Sequence, residues 1–117
     1  MSIKVFVYYN LHKKCFSVRA LNGPNKGRVV AHLLEVSLRN CYFKVSQAGR
    51  NRVLKEKRKN VHAGVVGFMN EIEENNSFKV EVAYNPYKYS SFVIKSTEEP
   101  ISTAESCFLS YRKVYIK

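Results

Sequence analysis

Short extended segments, rather than long helical ones, constrain the fold of this chain most strongly. In residues 3–9, Ile3, Val5 and Val7 alternate with Lys4 and Phe6, a period of two that predicts a strand with one buried face. Further segments of strand-like composition cover residues 15–20, 28–33, 35–45, 65–68, 78–84, 91–95 and 107–116. We therefore expect an α+β domain with a curved, mainly antiparallel sheet of about six to seven strands and one main helix.

The length of 117 residues suits one domain spanning residues 1–117. The N-terminus lacks the apolar run of a signal peptide, and no stretch approaches the roughly 18 apolar residues of a membrane span. Cys15, Cys41 and Cys107 are widely spaced and odd in number, which favours reduced thiols over a disulfide framework. These features predict a cytoplasmic protein without a membrane partner.

The one predicted helix is basic and covers about residues 46–59. Ser46 is a suitable N-cap, because its hydroxyl can accept a free amide hydrogen bond of the first turn. Gly49 weakens the helix. At helical spacing, Val53 faces the core while Arg52, Lys55 and Lys59 form a stripe on the opposite side.

Positive charge is concentrated in one half of the chain. The net charge is +11, and residues 1–62 contain 14 of the 20 Lys and Arg but two of the nine acidic residues. Such an imbalance predicts a one-sided basic surface, which attracts polyanions because it steers phosphates towards the protein. The alternative is a solubilising charge spread over the surface.

The basic residues of the predicted hairpin and helix are the candidate phosphate contacts. Lys and Arg displace counterions from a nucleic-acid backbone, so this binding depends steeply on salt and does not by itself select a base sequence. The alternative is that the basic residues of the helix simply form its solvent-exposed face, which would have the same composition. The nucleic-acid-binding candidates are Lys13, Lys14, Arg19, Arg50, Arg52, Lys55, Lys57, Arg58 and Lys59.

Aromatic residues interleaved with basic ones favour single-stranded RNA or DNA over duplex. Bases stack on aromatic rings, and no helix-turn-helix, zinc-finger or basic-zipper pattern is present. Tyr87 and Tyr89, in a turn marked by Pro86, are candidate stacking residues, although they could equally fill the turn.

His12 and His62 lie beside Lys and Arg and could perform metal-independent cleavage of RNA. One imidazole would take the 2′-hydroxyl proton and the other would protonate the leaving oxygen. Isolated histidines more often lie on the surface or pack, so whether the chain is an enzyme stays open, with a non-enzyme favoured.

No metal or cofactor is expected. The basic half has two carboxylates, Glu35 and Glu56, and neither a Cys-x-x-Cys nor a His-x-x-x-His pair occurs. The Gly-rich segment 23–27 lacks the Lys-Ser/Thr sequence and the strand-to-helix context of a P-loop.

Four segments resemble small uncharacterised accessory proteins encoded by tailed phages and prophages. They are residues 9–15, residues 43–46 with 48–49, residues 57–63 with the Lys-Asn-Val-His-Ala run, and residues 84–89. The resemblance implies a phage protein made in the cytoplasm of an infected bacterium, and it carries no functional residue.

Three hypotheses follow for the function. The first is a binding module for nucleic acid, which acts through the basic helix and hairpin. The second is an inhibitor of a host-defence or nucleic-acid-processing protein, with a host protein or ribonucleoprotein as partner. The third is the ribonuclease that uses His12 and His62. A monomer or a homodimer fits each hypothesis.

Overall fold

Nine strands and one short helix make up the regular structure of the described residues. The computed structural model describes residues 3–58, 61–70 and 78–117. The strands pair antiparallel in one sheet with the order β3-β2-β1-β5-β4-β8-β9-β6-β7. In chain order the elements are β1 (Lys4–Asn10), β2 (Cys15–Ala20), β3 (Val29–Leu33), β4 (Glu35–Val45), α1 (Gln47–Glu56), β5 (Ala63–Asn70), β6 (Val80–Ala83), β7 (Val93–Ile94), β8 (Thr103–Ser110) and β9 (Lys113–Ile116).

The predicted α+β domain with six to seven strands is wrong, because the described chain is nearly all sheet. Residues 107–116, predicted as one strand, belong to the hairpin of β8 and β9, which turns at Tyr111 and Arg112. Both turn residues have positive φ, at 48° and 70°. Tyr and Arg rarely occupy such a turn, so nothing in the sequence marks it.

The helix is shorter than the predicted 46–59 because Lys57 leaves the helical conformation. Lys57 adopts a left-handed conformation at φ 55° and its N–H bonds to Val53 O, which closes the last turn. At the other end the prediction is confirmed, since the Ser46 hydroxyl accepts a bond from the Gly49 N–H at 3.2 Å. Gly49 is required by packing, because an added Cβ would lie 2.5 Å from His62 Cβ.

A sharp bend at Leu34 forces the sheet to curl. Leu34 alone separates β3 from β4, yet β2, β1 and β5 lie between these two strands in the sheet order. In a flat sheet, four strand spacings would hold β3 and β4 about 19 Å apart. The chain from residue 33 to residue 35 reaches at most about 7 Å. The sheet therefore closes on itself, and β4 also contacts β2.

The core fills the inside of the curl. A pocket of about 270 Å³ opens beside this core, and Val7, Val65, Val82 and Val114 are among the residues that line it. Cys41 and Cys107 are both buried and free, and their sulfur atoms lie 3.2 Å apart. The buried cluster comprises Val5, Val7, Phe16, Val18, Val36, Leu38, Cys41, Phe43, Val65, Val82, Phe92, Cys107 and Leu109.

Gly64 in β5 permits close packing against β1. A Cβ at this position would lie 2.4 Å from the carbonyl oxygen of Val7 and 2.7 Å from the ring of Phe6. The Phe6 ring therefore covers Gly64 on the face of the sheet that points away from the core, and no other residue type fits without moving the backbone.

Replacing Gly64 with Ala should lower the free energy of unfolding by about 2–3 kcal/mol, because the added methyl group meets a backbone atom. Urea denaturation measures the change. Gly23→Asn is the control: Gly23 has φ 76° with no atom within 4 Å of an added Cβ, and Asn tolerates this conformation. Equal stability of the two variants would contradict the packing described.

Candidate nucleic-acid interface

The turn between β1 and β2 presents three exposed basic or ionisable side chains. The Asn10 side-chain oxygen accepts bonds from the backbone N–H groups of His12, at 3.0 Å, and Lys13, at 3.1 Å. Lys14 closes the turn at φ 54° and donates its N–H to Asn10 O at 2.8 Å. Because the backbone of the turn is satisfied internally, the side chains of His12, Lys13 and Lys14 point into solvent.

The β8–β9 turn lies beside this basic turn. Lys14, Leu34, Tyr111 and Arg112 line one shallow depression of about 170 Å³. The guanidinium of Arg112 lies 5.0 Å from the centre of the Tyr9 ring, which holds the cation next to the first hairpin. We call Lys13, Lys14, Tyr111 and Arg112 the turn cluster. Sequence reasoning missed Tyr111 and Arg112, since it placed them inside a strand.

The helix supplies a second group of cations. Arg52, Lys55, Lys57 and Arg58 are exposed, whereas Arg50 is half-buried and donates from Nε to Pro86 O at 3.0 Å. Arg50 therefore fastens the helix to the turn of residues 85–89. Lys59 lies outside the described residues.

Arg19, the remaining basic candidate, lies apart from both groups. It is exposed on β2, opposite Phe6 of β1.

The exposed candidate cations form no ion pair with a carboxylate of the residues that the structure describes. In the described part of the chain, the ion pairs join Lys88 to Glu98, and Lys95 and Lys113 to Glu81. All three lysines belong to the nearly neutral second half of the sequence. The exposed candidates that take part in none of these pairs are Lys13, Lys14, Arg19, Arg52, Lys55, Lys57 and Arg58. Their charge is therefore available to an external anion.

His12 and His62 lie in different surroundings. His62 is half-buried, and its Nε2 forms a 2.7 Å hydrogen bond with the hydroxyl of Tyr84. Tyr84 in turn stacks on Phe92 at 5.2 Å, and burial raises its pKa. His12 is exposed, and no hydrogen bond joins the two histidines in the part of the chain that the structure describes. The contacts of His62 connect the helix to the core.

Tyr87 and Tyr89 differ in their freedom to meet a ligand. Tyr87 is 61% exposed at the tip of its turn. Tyr89 donates its hydroxyl to Glu98 Oε1 at 2.5 Å, and this bond to a carboxylate raises the pKa of Tyr89. The hydrogen bond from Arg50 to Pro86 holds this turn against the helix. The Tyr87 ring and the exposed face of the helix therefore belong to one region of the surface.

The described residues form neither a cluster of metal ligands nor a membrane-spanning helix. No three His, Cys, Asp or Glu side chains among them converge on a point where a metal ion could bind. Within the same residues, no helix is long and apolar enough to cross a membrane.

The sequence matches the model of one protein family, described as the Mycobacterium phage L5 gene 82 protein, over residues 1–117. The chain belongs to this family. It is 40% identical over 114 residues to the gene 82 protein of Mycobacterium phage L5, and the aligned region covers 92% of this chain and 90% of that protein. No solved structure matches the chain. The predicted phage origin is thereby confirmed, while the family name specifies no ligand.

Replacing Tyr111 with Asn should raise the free energy of unfolding by about 1 kcal/mol. Tyr111 is 80% exposed at φ 48°, a conformation that costs a tyrosine about 1–2 kcal/mol and that Asn tolerates. Thermal unfolding followed by circular dichroism measures the change, and Tyr111→Phe, which keeps the ring, should match the original protein. A less stable Asn variant would show that the ring makes stabilising contacts.

Proposed function

We propose that this phage protein binds nucleic acid through the turn cluster and the exposed face of the helix. The observation that supports the proposal is a set of exposed Lys and Arg side chains on these two surfaces, none of which pairs with a carboxylate of the described residues: Lys13, Lys14, Arg112, Arg52, Lys55, Lys57 and Arg58. An isolated surface cation is common, but an uncompensated set on a protein of charge +11 produces a field that attracts polyanions.

Phosphates are the groups that this surface suits best. Each Lys or Arg that neutralises a phosphate releases condensed counterions, so the affinity falls as salt rises. These cations lie on two tight turns and on a short helix with the two residues that follow it, and none of these elements has the geometry of a known major-groove reader. The proposed contacts are therefore made to the sugar-phosphate backbone of the nucleic acid, and they do not depend on base sequence.

Removing two helix charges should weaken binding. At low salt the Arg52→Gln, Lys55→Gln double variant should bind a single-stranded 20-mer roughly 30-fold less tightly, since each contact contributes about 1 kcal/mol. The slope of log affinity against log salt should fall by about 1.4. Fluorescence anisotropy in EDTA measures both quantities.

The control for this test is the Lys88→Gln, Lys95→Gln double variant, which loses the same net charge. Both of its lysines form ion pairs within the protein, so it should bind nearly as tightly as the original. If the two double variants weaken binding equally, net charge alone acts and the proposed site is wrong.

The same samples, run on gels, distinguish the other two hypotheses. RNA cleaved in EDTA, with the activity lost in His12→Ala, would indicate the ribonuclease. The absence of any salt-sensitive shift with RNA, single-stranded DNA or duplex would refute nucleic-acid binding. The basic surface would then be directed at a host protein.

A further inference from the structure

The central strands carry aromatic rings on the face that points away from the core. Val5 and Val7 of β1 are fully buried inside the curl, so Phe6 and Tyr8, which alternate with them, lie on the opposite face. We call this side the outer face. Sheet faces exposed to water normally carry polar residues, so a group of rings here requires an explanation.

The strand register arranges these rings in rows with cations. One row runs across four strands through Arg19, Phe6, Val66 and Tyr42. The adjacent row contains Lys4, Phe68 and Arg39; it lies two residues away on β1 and β5 and three on β4, where the register shifts between Arg39 and Tyr42. Neighbouring strands are about 4.8 Å apart and adjacent rows about 6.7 Å, so every ring has a cation within reach.

The rings on the outer face are accessible and partly held in place. Tyr42 is 49% exposed, and Phe6, Tyr8 and Phe68 are half-buried. The ring centres of Phe6 and Tyr8 are 5.8 Å apart, and the Arg39 guanidinium lies 5.6 Å from the centre of the Phe68 ring. The Phe6 ring also rests on Gly64, where any side chain would displace it. Packing therefore fixes the rings before a ligand arrives.

We infer that the outer face binds single-stranded nucleic acid by stacking unpaired bases on Phe6, Tyr42 and Phe68. The inference rests on the proposed function and specifies its ligand class. Lys4 and Arg19 lie beside these rings, and Lys44 lies opposite Gly64 on the same face, where they can contact the phosphates that follow each base.

The charges on the outer face favour this ligand over the alternatives. A second copy of the chain docked by the same face would bring Lys4, Arg19 and Lys44 against their own counterparts, which is repulsive. An apolar protein partner would leave these charges buried without a counterion. In a duplex the base faces are already stacked on one another, so only a single strand can offer them to the rings.

The test compares two oligonucleotides with the same number of phosphates: a 12-mer of deoxythymidine and an abasic 12-mer. The original protein should bind the deoxythymidine oligonucleotide at least about tenfold more tightly, since stacking favours each base bound. In the Phe6→Leu, Tyr42→Leu double variant the two affinities should become nearly equal, while the affinity for the abasic strand stays unchanged.

Two further variants keep the result interpretable. Tyr42→Leu alone removes a ring that is half exposed, so it should fold normally and lose part of the preference. Tyr115→Leu removes a half-buried ring from β9, opposite Glu81 and away from the proposed surfaces, and should keep the full preference.

Each outcome has one meaning for the inference. Equal, salt-sensitive binding of both oligonucleotides by the original protein would overturn stacking and leave the proposed function intact. Binding of neither oligonucleotide would overturn both. If the preference for deoxythymidine survives the Phe6 and Tyr42 substitutions, the bases stack elsewhere and the inference is wrong. If the protein is a dimer that Tyr42→Leu dissociates, the outer face binds a second copy of the chain and the inference is also wrong.

Discussion

The close succession of β3 and β4 is the constraint on which the rest of this structure depends. One residue, Leu34, joins two strands that the sheet order separates by three others, and this connection is too short for a flat sheet. The sheet must curl, and the curl creates an inside that holds the valines, phenylalanines and the Cys41 and Cys107 thiols. Burial of these apolar side chains stabilises the fold.

The same curl determines what the surface can do. With the core on the inside, the alternate residues of the central strands form an outer face on which rings and cations are neighbours. The bend at Leu34 also brings the turn of Lys14 next to Tyr111 and Arg112. A curled sheet thus presents positive charge on a face and at one set of turns, whereas the acids Glu81 and Glu98 are paired with lysines elsewhere.

Local patterns in the sequence were sufficient for some elements and failed for others. Alternation located β1 and β2, and the Ser46 cap located the start of the helix, because these signals lie within a few residues. The turn at Tyr111 and Arg112 carries no turn-forming residue, so β8 and β9 appeared as one strand. The outer face could not be predicted, because it depends on which strands pair. The aromatic rings of Phe6 and Tyr8, on the side of β1 that also carries Lys4, were the signal in the sequence that pointed to it.

The central claim is that nucleic acid contacts the turn cluster and the exposed face of the helix, with its bases on the outer face. Amide chemical shifts of labelled protein, followed by NMR during titration with a deoxythymidine 12-mer, test this most directly. We expect the largest changes at Lys14, Arg112, Arg52, Lys55, Phe6 and Tyr42, with small changes at Glu81 and Ile94. Changes confined to β6 and β7, or no changes at low salt, would contradict the account.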